Sequence, residues 1–182
     1  ETSITYEGGV DIEFDNFNSA ATFFYSQYDD AISQVTKTSG ATTWNTWENV
    51  DGRTLSGIEL FIDYGIPFTV DKKEMKLTPY LNGIYYTKRN EKDDALANAR
   101  GTNNILNVPE YNMTGGLEFN YENLFSINVN ALFSGPQKTQ DWNTASSTYS
   151  KVINKDNFTV FSARLNVTPR DDLNIYLNAD NL

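Results

Sequence analysis

A chain of 182 residues is long enough for one domain with a sizeable core, yet only 39% of it is hydrophobic, its mean hydropathy is -0.52 and its formal net charge is -10. The acidic balance argues against nucleic acid as a partner, because phosphate binding needs a basic surface. No apolar run approaches the roughly 20 residues of a membrane helix, whereas a membrane strand needs only about 9–11 residues, half of them polar. Histidine is absent, which removes Ser-His and Cys-His catalysis and most zinc sites from these residues. Cysteine is absent as well, so the redox compartment is unread.

In chain order, the opening Glu1-Thr2-Ser3-Ile4 reads as strand rather than signal peptide, as if the chain continued something longer. From Ser3 to Asp15, Ile4, Tyr6, Val10, Ile12 and Phe14 alternate with Thr5, Glu7, Asp11 and Glu13, the period of a two-faced strand. A turn at Asp15–Asn18 leads to a second strand reaching about Tyr28, where Phe23-Phe24-Tyr25 leave the register undecided. The polar stretch from about Asp29 to Arg53, with Trp44 and Trp47, reads as a loop or a frayed strand extension.

Thr54–Tyr64 is the clearest strand, with Ile58, Leu60, Ile62 and Tyr64 opposite Gly57, Glu59, Phe61 and Asp63. Pro67 argues against continuing it through the connection Gly65–Lys73. Further strands are predicted over about Met75–Thr87, Val108–Tyr121, Phe125–Phe133, Phe158–Thr168 and from Leu173 onward. Between them lie the polar segments Lys88–Asn107 and Gly135–Asn157, and the short turns Glu122–Leu124 and Pro169–Asp172.

Connections thus alternate short and long, with the long ones at one end, as in an outer-membrane barrel. A Greek-key sandwich has less reason to sort its loops by length. Strands of about 11–13 residues also exceed the globular mode of about 5–6 and match a tilted membrane crossing. The expected fold is all-β: an antiparallel up-and-down transmembrane barrel, here a partial one of about eight strands. Two alternatives stay open, a soluble all-β carbohydrate-binding module using exposed aromatics and a small self-contained eight-stranded outer-membrane barrel.

Several short pieces resemble the late barrel strands of TonB-dependent outer-membrane receptors. They are Asn49-Val50 followed by Gly57-Ile58-Glu59-Leu60; Val108-Pro109 at the start of a strand; Phe158-Thr159-Val160 leading to Ala163-Arg164-Leu165; and Asp180-Asn181-Leu182. The resemblance spans essentially residues 1–182 and implies a 22-stranded barrel around an N-terminal plug, energised by TonB. Such a receptor sits in the Gram-negative outer membrane and takes up a scarce nutrient, a ferric siderophore or cobalamin, without catalysis. On that template the plug, the early strands and the final strand lie outside this sequence, and no cofactor or metal is implied.

Candidate sites follow from the pattern. Trp44, Trp47, Trp142 and Tyr149 fall in the long connections, where aromatic rings can stack on a ligand or settle at the headgroup level. Glu7, Asp11, Glu13, Glu59, Asp63, Glu118 and Arg164 occupy the polar faces, which a hydrated lumen, a plug or plain solvent would satisfy. The acid pairs Asp29-Asp30, Asp93-Asp94 and Asp171-Asp172 lack the spaced ligands of a calcium loop and read as solvated turns. Glu59 and Asp63 point the same way along one strand, which suits a lumen wall better than the two-sided acid pair of a glycosidase. Three Asn-x-Thr tripeptides, at Asn112, Asn157 and Asn166, read as chance matches to a glycosylation acceptor.

Overall fold

The computed structural model describes residues 2–140, 142–143, 148–149 and 152–182. Its main body is a single antiparallel sheet in chain order. It contains β1 (Thr2–Phe14), β2 (Phe17–Ser39), β3 (Thr42–Tyr64), β4 (Ile66–Val70), β5 (Lys73–Glu91), β6 (Tyr111–Tyr121), β7 (Phe125–Ser134), β12 (Phe158–Arg170) and β13 (Leu173–Asp180). The segment between β7 and β12 forms two small ladders of its own. There β8 (Gln137–Thr139) pairs with β11 (Ile153–Lys155), and β9 (Trp142–Asn143) pairs with β10 (Thr148–Tyr149).

Tight turns close one end of the sheet. The β1–β2 turn carries Asp15 at φ 50°, and the β4–β5 turn carries Asp71 and Lys72 at φ 49° and 65°, the left-handed geometry of a two-residue hairpin. Lys73 and Glu122 join the β4–β5 turn to the β6–β7 turn through an ion pair of 3.0 Å, whose hydrogen bond raises the Lys73 pKa above its ordinary value. The expected break near Pro67 is real but short. The chain interrupts at Gly65, and Pro67 lies in β4, which pairs with β5 alone. The sequence-based turn at Pro169 is corrected: β12 runs on to Arg170, with a register irregularity between Val167 and Arg170 that absorbs the proline.

At the other end the connections are structured. Asp29–Arg53 is not a loop. Its polar residues extend β2 and β3 into a ribbon that runs to the turn at Gly40, beyond the last pairing of β1 with β2 at Asp29. The connection after β5 contains a helix that strand periodicity did not signal, α1 (Asp94–Arg100). Asp93 caps it by accepting from the Leu96 amide at 2.8 Å, and Gly101 ends it at φ 69°, donating back to Ala97 and Asn98.

The register settles which residues share a face. Pairing of Phe24 with Gly57 and Glu7 puts Phe24 on the polar side, leaving Phe23 and Tyr25 with the apolar rows. Gly57 is required there: a side chain would strike the Phe24 ring at 2.9 Å and the Tyr85 carbonyl oxygen, while its absence lets Phe24 meet Tyr86 edge to face at 6.0 Å.

Among the described residues, no second layer packs on the apolar face. Among the described residues only Phe24, Ile105 and Ala131 form buried hydrophobic positions, whereas Tyr6, Val10 and Phe14 are 67%, 64% and 70% exposed. This excludes the stacked layers of a sandwich, whose inner faces must cover each other. The sheet is also open. Among the described residues β1 pairs only with β2 and β13 only with β12, so these strands do not close into an eight-stranded barrel.

Gly57→Val is expected to block assembly, because the added branch meets a ring and a carbonyl with no room to shift. The loss exceeds the ~1–3 kcal/mol of ordinary overpacking and reads out as loss of heat-modifiable gel mobility in the refolded protein.

Candidate functional site

Two regions carry the polar chemistry: the inner face of the sheet and the crown of long connections above it. Glu7, Asp11 and Glu13 of β1 lie in register with Phe24, Ala20 and Asn18 of β2, which in turn face Gly57, Phe61 and Asp63 of β3. Glu59 shares this face, opposite Thr22 and Ile84. Glu118 and Arg164 fall in one cross-strand row, Thr78–Glu118–Asn128–Arg164–Asn178. All seven sequence-predicted wall residues therefore lie on one side of the sheet. An open depression of about 480 Å³ is lined by Glu118, Asn128, Asn130, Ser162, Arg164 and Asn178 among others.

Hydrogen bonds knit this wall together. Asn18 Nδ2 donates to Asp63 Oδ1 at 3.0 Å, Asn120 Nδ2 to Glu118 Oε1 at 2.8 Å, and the Tyr80 hydroxyl to Asn128 Oδ1 at 3.0 Å. Arg164 donates through Nε to Asn166 Oδ1 at 3.0 Å and lies over the Tyr176 ring, 5.6 Å from its centroid.

The crown is tied down by one buried acid that the sequence did not single out. The Glu91 side chain is 2% exposed and lies between Arg53 of β3 at 3.1 Å and Arg100 of α1 at 3.5 Å. Burial pulls the Arg100 guanidinium below its ordinary pKa and the Glu91 carboxylate opposes that pull. Around this pair the backbone is stitched on both sides. Glu91 N donates to Asn103 O at 2.6 Å, Lys92 N to Gly52 O at 2.9 Å and Asn107 N to Lys138 O at 2.8 Å. The connection that carries α1 is thus bonded to both the ribbon and the β8 segment.

The sequence matches, over residues 1–182, the family described as TonB dependent receptor-like, beta-barrel. The chain belongs to that family. Solved structures agree on the fold. The siderophore receptor PirA from Acinetobacter baumannii superposes with a TM-score of 0.65 at 18% identity, covering 99% of this chain and 27% of that one. The ferric enterobactin receptor PfeA from Pseudomonas aeruginosa, as a variant in complex with enterobactin, gives 0.63 at 16% identity, covering 99% and 26%. The chain therefore spans about a quarter of the length of these receptors. A comparison with curated protein sequences finds no match.

For a receptor barrel of this family, the aromatic candidates divide in two. Trp44 and Trp47 stand on the β2–β3 ribbon, 44% and 67% exposed, and their odd spacing puts them on opposite faces of it. Trp142 and Tyr149 are paired residue to residue by β9 and β10. Hence the structure joins the latter two and separates the former two. The acid pairs are accounted for by the fold: Asp93 is the helix cap, Asp29 faces Lys92 at 3.7 Å, and Asp172 faces Arg170 at 3.3 Å. Among the described residues no cluster of three or more potential metal ligands occurs. Sequence reasoning missed Glu91, Arg53, Arg100, Asn128 and Asn178, since their roles depend on register and on the fold-back of α1.

Glu91→Gln keeps the shape but leaves two arginines without their shared acid, at a cost of about 2 kcal/mol. Limited proteolysis within residues 92–110 of the folded protein is expected to accelerate about thirtyfold, with the strands unaffected.

Proposed function

We propose that the chain supplies the late strands of a barrel in the Gram-negative outer membrane, part of a non-catalytic, TonB-dependent receptor that imports a scarce nutrient. The observation that carries this reading is the uncovered apolar face. Ile58, Leu60 and Ile62 on β3, Leu117 and Phe119 on β6, and Ile127 and Val129 on β7 form rows that, among the described residues, no second layer covers, while the opposite side is lined by polar residues and bears an open depression on β6, β7, β12 and β13. A surface of this kind is at home in acyl chains.

Aromatics support the same placement. Phe119, Tyr121 and Phe125 cluster near the tight turns, with Tyr121 and Phe125 stacked at 5.2 Å, and Tyr6 pairs with Tyr25 and Tyr85 with Tyr111 toward the other end. Two such girdles about one membrane thickness apart mark the interfaces of an outer-membrane barrel. The open edges at β1 and β13 then pair with other strands of the receptor, since unpaired backbone is not tolerated in lipid.

Within this reading the wall acids Glu7, Asp11, Glu13, Glu59 and Asp63 receive basic residues of an enclosed plug domain, and the crown with Trp44, Trp47, Trp142 and Tyr149 meets the ligand. The similarity to receptors described as siderophore and ferric enterobactin receptors favours a ferric siderophore over cobalamin as that ligand.

Growth of the producing bacterium under iron limitation is expected to fail when the receptor is deleted, with growth under cobalamin limitation unchanged; the reverse result reassigns the nutrient, and no defect in either removes the uptake reading. Leu60→Arg is expected to destabilise the membrane-inserted barrel by about 2–4 kcal/mol in urea titrations from lipid vesicles. Asn82→Arg, on the hollow side, is expected to leave that stability unchanged.

A further inference from the structure

The inner face is chemically divided. Glu7, Asp11, Glu13, Glu59 and Asp63 all lie on β1 and β3, whereas the half built by β6, β7, β12 and β13 is dominated by amides and hydroxyls around Arg164. In that second half the two amide oxygens nearest the arginine are already committed. Asn128 Oδ1 accepts from both the Tyr80 hydroxyl and Asn130 Nδ2, each at 3.0 Å. Asn166 Oδ1 accepts from Arg164 Nε at 3.0 Å, and Ser126 Oγ accepts from Asn166 Nδ2 at 3.1 Å.

These bonds fix the sense of the Asn128 and Asn166 amides. With its oxygen held by two donors, Asn128 has its Nδ2 left over. Among the described residues, Arg164 is bonded through Nε alone, so its two terminal nitrogens are left over too. Asn128 and Asn178 flank Arg164 directly across the ladder on its two sides, and all three line the same depression. The Tyr176 ring under the guanidinium steadies its plane. What remains next to the guanidinium is a set of donors, its own terminal nitrogens and Asn128 Nδ2, around one cation.

We infer that this hollow binds a single carboxylate, received by the outer edge of Arg164 and the flanking amides of Asn128 and Asn178. The planar guanidinium meets a carboxylate through two parallel hydrogen bonds, a match that a point charge does not offer. Glu118 and Asp180 share the hollow and limit its charge. Glu118 is turned to Asn120 rather than to Arg164, so the cation is not neutralised from within, but two nearby acids make a dianion such as phosphate costly. The site therefore selects a monoanion.

The inference rests on the receptor reading for the source of that carboxylate, which is either an Asp or Glu side chain of the polypeptide enclosed by the barrel or a small carboxylate-bearing solute. The full-length receptor in detergent and its Arg164→Gln, Arg164→Lys and Asn178→Asp variants separate the two, each first checked for heat-modifiable folding. Hydrogen exchange by mass spectrometry reads the first source. One protected segment of the enclosed domain exchanges about tenfold faster in Arg164→Gln and less so in Arg164→Lys, with the strands unchanged.

Asn178→Asp supplies Arg164 with an internal carboxylate, reproduces the Arg164→Gln effect and carries the test if Arg164→Gln does not fold. Titration with isotope-labelled acetate, followed by NMR, reads the second source: exchange is the same in all forms, and saturable acetate binding weakens at least about fivefold in Arg164→Gln and Asn178→Asp. Unchanged exchange together with unchanged or non-saturable acetate binding overturns the carboxylate site. It leaves the uptake reading standing, because growth and membrane insertion judge that separately.

Discussion

The structure depends on a continuous antiparallel ladder in which each main strand pairs with its neighbours in chain order from β1 to β13. In the proposed membrane setting the backbone has no other partner for its amides and carbonyls, so the ladder would have to run unbroken through the apolar zone. Once it does, alternation is forced. Every second residue points to one side, and a one-residue slip would carry each apolar row to the wrong face. The rows Ile62–Leu81 and Leu117–Val129–Ala163 hold that register across five strands, and the bulge between Ser56 and Gly57 falls only where the apolar rows give way to the crown.

Above the apolar zone the rules change. The ribbon of β2 and β3 continues without flanking strands, and what steadies the crown is a small set of bonds around Glu91. A carboxylate removed from water is tolerated because two guanidinium groups and nearby backbone bonds surround it. The contrast with the wall is instructive. There the polar groups remain partly open, bonded in pairs and short chains.

Much of this was legible in the residues. The alternation of Ile4, Tyr6, Val10, Ile12 and Phe14, and of Ile58, Leu60, Ile62 and Tyr64, marked both the strands and their two faces, since a period of two has no helical reading. The short and long connections and the shared side of Glu7, Asp11, Glu13, Glu59, Asp63, Glu118 and Arg164 followed from the same count. Helix α1 was hidden because seven residues give too short a window for a 3.6-residue period, although Asp93 and Gly101 sit at its ends as caps. The ribbon stayed undecided between a loop and a strand extension because strands wet on both faces show no apolar period, only the polar composition that a loop also has.

The sequence by itself determined the strand periods and the two chemistries of the faces, because these are local properties of consecutive residues. Tertiary structure decided which strands are neighbours, and so which distant residues meet. Tyr80 reaches Asn128, Arg53 reaches Glu91, and Trp142 is set against Tyr149 only when the ladders and the fold-back of α1 are in place. Cross-strand distance depends on register rather than on separation along the chain, and register is fixed by the whole sheet at once.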